Sequence, residues 1–512
     1  MKILLTKIKT ATLEGVDGAL VTVETDMRRG MPSFTVVGLA DTTIKEACSR
    51  IKPAVLNSGY EFPYEKVTVN LSPAGKPKEG THFDLPIAVG LITLGWGSED
   101  LEETAFLGEL SLDGRLNRIK GALPLVMCLR KKGVKKVVLP AGNADEAAVL
   151  KDVEILAAET LDQVMGHVIG NKPLDIYRGK DAQSFTEWDI DFSQVAGQES
   201  VKRAVMIGAA GNHGLLLMGG PGCGKTMIAR RIPTILPDLT YEEILEITGV
   251  YSVSGLLTED MPVINKRPFR NPHHTISAAG LLGGGARPKP GEMSLAHRGV
   301  LFLDELGEFD SGVIDAMRQP AEDGEIRITR NNREVIFPSQ VMIVAAANPC
   351  KCGYLWDDRK MCTCSRRQLD DHARKLNGPF SDRIDMHIRM SPVDREVLEN
   401  ISHRQKTMSS KKMRCIVEKA VMVQNHRYEG TKYKRNGDLD EKGIEKFCVL
   451  DDECNKVMAA AYDKLGLSMR ACSRIVKIAR TIADLEGEDR ISSEHITEAL
   501  MYRISERDRG QT

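Results

Sequence analysis

The chain has 512 residues, too many for one ordinary hydrophobic core, so two to four domains are expected. It is 42% hydrophobic and 28% charged with a net charge of −1, which excludes a bulk polycation and confines any nucleic-acid contact to local patches. No apolar run approaches the ~18 residues of a membrane span, no signal cleavage site follows Met1–Lys7, and eleven scattered cysteines suit a reducing cytosol, so a cytoplasmic protein with no membrane partner is expected.

In chain order, residues 1–172 alternate strand and helix patterns. Ala19–Glu24 and Lys66–Leu71 read as strands, Thr42–Asn57 as a helix, and Val134–Leu139 as a strand ended by Pro140. Residues 173–190 are polar and patternless and read as a linker. Residues 191–390 hold a nucleotide-binding set. Residues 391–512 lack β-rich runs and carry helical spacing, as at Ile475, Ile478, Ala479 and Ile482, which predicts a helical bundle.

The strongest signal is Gly219, Gly220, Pro221, Gly222, Cys223, Gly224, Lys225 and Thr226. An apolar run, Leu215–Met218, precedes it, and a segment of helical character, Met227–Ile232, follows. Strand, glycine-rich turn and helix start are the context a phosphate-binding loop requires. Its backbone N–H groups close around phosphates, and the helix N-terminus adds partial positive charge. Lys225 is then expected to reach the β and γ phosphates of ATP, and Thr226 to hold Mg2+.

The run Val300–Leu303 is apolar enough for a strand buried on both faces, and it ends in Asp304 and Glu305. The C-terminal end of such a strand is where an α/β sheet places its ligand. Asp304 is expected to hold magnesium through water, and Glu305 to polarise the attacking water. A second apolar strand, Val341–Ala347, ends at Asn348-Pro349, where an amide can orient that water or serve as an ordinary turn residue.

Between these strands, Gly324–Phe337 alternates apolar and polar residues across an Asn331-Asn332 turn, a hairpin signature with Arg330 and Arg333 at the tip. Two readings stand: a solvated tip, or a basic grip on nucleic-acid phosphates. Asn271–Pro290 is a glycine-rich insertion. Its adjacent His273 and His274 are expected to point apart, against a metal there. Cys350, Cys352, Cys362 and Cys364 form two C-x-C pairs nine residues apart, either reduced thiols on a loop or four Zn2+ ligands.

With these residues the sequence resembles the magnesium-chelatase-like AAA+ ATPases of the YifB/ComM family. The resemblance is carried by Val195–Gln198, Gly219–Thr226, Pro268–Thr275, Gly291–His297, Gly299–Leu306, Ala347–Cys350, Gly378–Asp385 and Ala479–Asp484. It implies an α/β fold in three parts: an N-terminal Lon-protease-like α+β domain (1–172), an AAA+ P-loop NTPase core (191–390) and a C-terminal α-helical lid (391–512). It adds Gln198 to the nucleotide-binding set. It implies Asn348 as sensor 1 and Arg383 as an arginine finger, with a salt bridge to Asp382 or Asp385 as the plainer reading of that arginine. Arg470 is implied as the sensor 2 arginine, with Arg474 as the weaker candidate. The implied assembly is a homo-oligomeric ring, a hexamer. The implied substrate is single-stranded or branched DNA, moved by a branch-migration helicase in recombination and natural transformation. The alternative is a magnesium-chelatase-type ATPase that remodels a protein partner.

Residues 1–172 resemble the proteolytic domain of Lon proteases more loosely, through Pro77–His82 and Gly108–Arg115. Proteolysis there needs a serine nucleophile and a lysine base. This sequence has His82 and Leu123 at those places, and Lys120 is out of register. The domain is therefore expected to keep the fold without the protease chemistry, as a scaffold or DNA-docking surface.

Overall fold

A computed structural model describes residues 4–94, 100–179, 188–330, 333–357, 360–376, 380, 383–392 and 407–504. The strand Asp17–Arg28 buries alternate residues, because successive side chains of a strand point to opposite faces. It pairs antiparallel with Leu4–Glu14 and with Lys66–Ser72. These strands are the centre of a seven-stranded mixed sheet that runs from Ser33–Val37 at one edge to Glu154–Ala158 at the other. One face carries the helices Thr42–Asn57 and Asp84–Ile92, packed through Ile8, Val23, Ile44 and Ile51. The other carries Ala122–Lys131, packed through Ala11, Leu123, Val126 and Val137. Thr42–Asn57 starts where Asp41 accepts the Ile44 N–H at 2.9 Å, an N-cap worth about 1 kcal/mol.

The expected strand near Val134 runs from Lys136 to Pro140. Part of the expected linker is docked rather than loose. Tyr177 N–H donates to the Ile155 carbonyl at 2.7 Å, and its hydroxyl to Asp145 at 2.8 Å. Residues 180–187 lie outside the described residues.

The second sheet is parallel throughout, in the order Phe269–Arg270, Val300–Leu303, Met342–Ala347, Leu215–Gly219, Met386–Met390. Its residues alternate between two cores. Leu215, Leu217, Phe302 and Val344 face one side, and Leu216, Met218, Leu303 and Ala345 the other. Helices on both faces explain why these strands read as continuous apolar runs. Met342–Ala347 comes late in the chain yet lies between Val300–Leu303 and Leu215–Gly219. This crossover sets the ends of three distant segments side by side.

The helices Ser410–Arg427, Asp452–Leu465, Met469–Glu486 and Ser493–Ile504 form the expected C-terminal bundle. Their apolar faces continue the core of the second sheet. Asp385 anchors the bundle. It is part-buried, pairs with Arg474 at 3.2 Å and accepts the Gly214 N–H at 3.1 Å, while Arg503 donates to the neighbouring Ile384 carbonyl at 2.7 Å. Burial alone raises a carboxyl; here His213, Arg474 and Arg503 override it and hold Asp385 well below the usual carboxylate range. The two halves of the chain also meet. Ser252 donates to the buried Glu146 at 3.1 Å, and Tyr241 to the Val149 carbonyl at 3.0 Å.

Candidate nucleotide site

The strand Leu215–Gly219 ends in the glycine-rich loop, and the helix Lys225–Arg231 begins directly after it. Gly222 and Gly224 take φ of 78° and 86°, a left-handed backbone that glycine adopts without steric cost. Lys225 Nζ donates to the Gly219 and Gly220 carbonyls at 2.6 and 3.0 Å and to Asn348 Oδ1 at 3.0 Å. Burial lowers the Lys225 ammonium below its usual value, with Asp304 and Glu305 among the groups opposing that shift. Thr226 Oγ1 donates to Asp304 Oδ2 at 3.0 Å. The loop, Asp304, Glu305 and Ala346–Asn348 line one cleft of about 380 Å3.

The donors and acceptors fit a magnesium nucleotide. A hydroxyl and a carboxylate in contact offer the hard oxygens that Mg2+ takes. The ammonium and the open loop amides suit phosphate oxygens. Glu305 is left-handed at φ 55°, and its exposed carboxylate is 3.4 Å from His274 Nδ1. Gln198, also left-handed, donates its side-chain amide to the Ser391 carbonyl at 2.6 Å. Ser391 follows Met390, which pairs with Gly219, so Gln198 stands at the rim of the loop.

The other expected residues stand outside the cleft. Arg383 Nε bonds Glu322 at 2.6 Å, on the short helix Arg318–Asp323. Asp385 is engaged with Arg474, the weaker sensor 2 candidate. Arg470 is exposed in the first turn of Met469–Glu486, with no hydrogen bond or ion pair among the described residues. The hairpin is present, with Arg330 paired opposite Arg333. Arg330 is exposed; the side chain of Arg333 lies outside the described residues. The four cysteine sulfurs gather within 4.8 Å of one another. Burial and neighbouring thiols push the Cys350 thiol up to about 12, while backbone N–H groups bring Cys352 down to about 6 against its burial.

One sequence reading changes. His273 and His274 do not point apart: their rings lie side by side, tilted by 33°, with centroids 4.1 Å apart. Their nitrogens still serve different partners, Thr275 and Glu305. The contact between His274 and Glu305 was missed because it is tertiary. Arg270 registers against Leu301 in adjacent parallel strands, so the residues after each strand meet at the same sheet edge. In the N-terminal domain, His82 is buried with its ring nitrogen 2.8 Å from the Ala11 carbonyl, and Leu123 is a core residue. The end of Lys120 lies over Gly255.

Comparison with known proteins gives the family. Residues 191–398 match the family described as magnesium chelatase, subunit ChlI. Residues 23–143 match subunit ChlI of Mg-chelatase, and 407–503 its C-terminal part. The chain is 39% identical to the competence protein ComM of Haemophilus influenzae over 96% of this chain and 95% of that one. It is 39% identical to the protein YifB of Escherichia coli, over 98% and 97%. A Lon protease of Rhizobium meliloti is 28% identical over 36% of this chain and 23% of its own. No described helix is long and apolar enough to cross a membrane.

Proposed function

The chain belongs to the YifB/ComM family of magnesium-chelatase-like AAA+ ATPases, and from that premise we propose that it is a ring-forming motor that couples ATP hydrolysis to movement on DNA. The observation that carries the ATPase half is the convergence of Lys225, Thr226, Asp304 and Asn348 at the C-terminal ends of three adjacent parallel strands. In this reading Lys225 and the loop amides bind the phosphates, and Gln198 lies at the nucleotide's edge. Thr226, and Asp304 through water, would hold Mg2+, and the ion would draw charge from the β and γ phosphates. Glu305 takes the proton of the attacking water, and Asn348 orients that water as sensor 1. Arg383 acts as the finger for a neighbouring subunit, and Arg470 as the sensor 2 arginine.

The DNA half is supported by the competence relative's name and by the exposed Arg330 at the hairpin tip. It takes the substrate to be single-stranded or branched DNA, moved by a hexamer during branch migration. The second reading, remodelling of a protein partner, is favoured by the magnesium-chelatase description of every matching family. ATPase rate with and without single-stranded and branched DNA, for wild type and Lys225→Ala, separates the two. DNA stimulation that vanishes in Lys225→Ala supports the DNA motor. An ATPase indifferent to every DNA supports the partner-remodelling reading.

A further inference from the structure

The loop carrying the four cysteines begins just after Asn348 and ends where the helix Arg366–Leu376 starts. Cys350 and Cys352 sulfurs lie 3.3 Å apart, Cys352 and Cys362 3.5 Å, and Cys350 and Cys362 3.7 Å. Cys364 Sγ accepts the Cys352 N–H at 3.4 Å. Four thiolates at the ~2.3 Å zinc–sulfur distance of a tetrahedral site stand about 3.8 Å from one another, so this cluster has the dimensions of a cage for one soft cation. All four cysteines are free of disulfides. A single residue between the members of a pair suffices because the chain turns sharply. Gly353, at φ 85°, donates its N–H to the Cys350 carbonyl at 3.0 Å.

That turn packs on the phosphate loop. A Cβ placed on Gly353 would meet Pro221 Cδ at 2.6 Å, and one placed on Gly220 would meet the Gly353 carbonyl oxygen at 3.1 Å. Across the same loop, the Arg389 guanidinium lies 5.0 Å over the Trp356 ring. On its far side His372, from Arg366–Leu376, bonds the Asn348 carbonyl at 2.9 Å. The cysteine knuckle is thus wedged between the phosphate loop and the strand end that carries Asn348.

We propose that Cys350, Cys352, Cys362 and Cys364 bind one zinc ion, and that the resulting knuckle braces Gly220 and Pro221 so that zinc and nucleotide binding reinforce each other. The coupling rests on the proposed ATP site; the metal site does not. Binding free energy linked through a shared element is reciprocal, so nucleotide must slow zinc loss if zinc tightens nucleotide.

The first measurement is metal content of the full-length protein purified without chelator. About one zinc per chain is expected, and chelated protein given cobalt(II) should develop the thiolate charge-transfer and visible bands of a tetrahedral sulfur site. Cys362→Ser combined with Cys364→Ser should lose both. Zinc below about 0.1 per chain with no cobalt spectrum overturns the site, and needs no variant that might misfold. The second is the affinity of a fluorescent ADP analogue for wild-type protein before and after chelation. Binding weakened at least about fivefold and recovered with added zinc supports the brace, while equal affinities overturn it. Lys225→Ala should retain its zinc and lose the analogue. If it binds the analogue as wild type does, the ATP site is misassigned while the zinc count stands.

Discussion

Glu305 holds a left-handed backbone that non-glycine residues seldom adopt, and such strain persists where the surroundings over-determine it. The turn aims its carboxylate out of the buried strand Val300–Leu303 into the cleft, while Asp304 stays bonded to Thr226. The two acids are therefore separable by mutation. Glu305→Gln should keep nucleotide binding and lower kcat by about 10²–10⁴-fold, the usual loss of a general base; single-turnover hydrolysis against analogue binding checks it. His82 supplies a pH dependence of another kind. Its imidazole titrates near 6.5 when free and is pulled down to about 4 by burial in the fold. Between those values the unfolded chain takes up a proton and the folded chain does not. Stability present above pH 6.5 is then lost as pH falls toward 4, by about 3 kcal/mol for this group. Thermal unfolding across pH 7 to 4 should show a shallower decline for His82→Gln, which keeps an N–H for the Ala11 carbonyl.

At the level of elements, the hairpin Glu325–Pro338 is the clearest candidate for a nucleic-acid grip. The middle of its second strand lies against Gly15 of the N-terminal domain, at Val335 and Ile336, two ladder pairs short of the tip. Arg330→Ala with Arg333→Ala should weaken DNA binding, lower the slope of log affinity against log salt by about one to two, and leave basal ATPase nearly intact. Equal loss of both activities would show that the hairpin supports the fold instead. This hairpin, the helix Thr42–Asn57 and the glycine-rich loop were all legible in the sequence. Each is written in a local signal: alternation across Asn331-Asn332, a helical residue pattern, a strand–turn–helix. Three features were not. The docking of Tyr177 on Ile155, the contact of His274 with Glu305, and the packing of Gly353 on Pro221 join segments distant in the chain. They depend on strand order, and nothing in a run of residues states that Met342–Ala347 will slide between Val300–Leu303 and Leu215–Gly219.

At the scale of the whole molecule, the question is why Arg383 stands off the cleft of its own chain. Its guanidinium is held by Glu322, and two residues on, Asp385 joins the helical bundle through Arg474 and the start of the strand Leu215–Gly219 through Gly214. In the proposed ring, an arginine held away from its own cleft meets the cleft of a neighbouring copy, and closed rotational symmetry repeats that meeting for every copy at once. A guanidinium supplied in trans stabilises the charge spread over the transferred phosphoryl group and is worth about 10³-fold or more. Arg383→Ala should therefore bind nucleotide normally and hydrolyse it poorly. Lys225→Ala should fail to bind nucleotide while still offering its Arg383 to a neighbour. Mixed in equal amounts and reassembled, the two inactive proteins should regain activity, because a site pairing an intact Lys225 with a neighbour's intact Arg383 arises at about a quarter of random interfaces. ATPase assays across a titration of mixing ratios should peak near equal amounts. A mixture as inactive as either component at every ratio would place the action of Arg383 within its own chain.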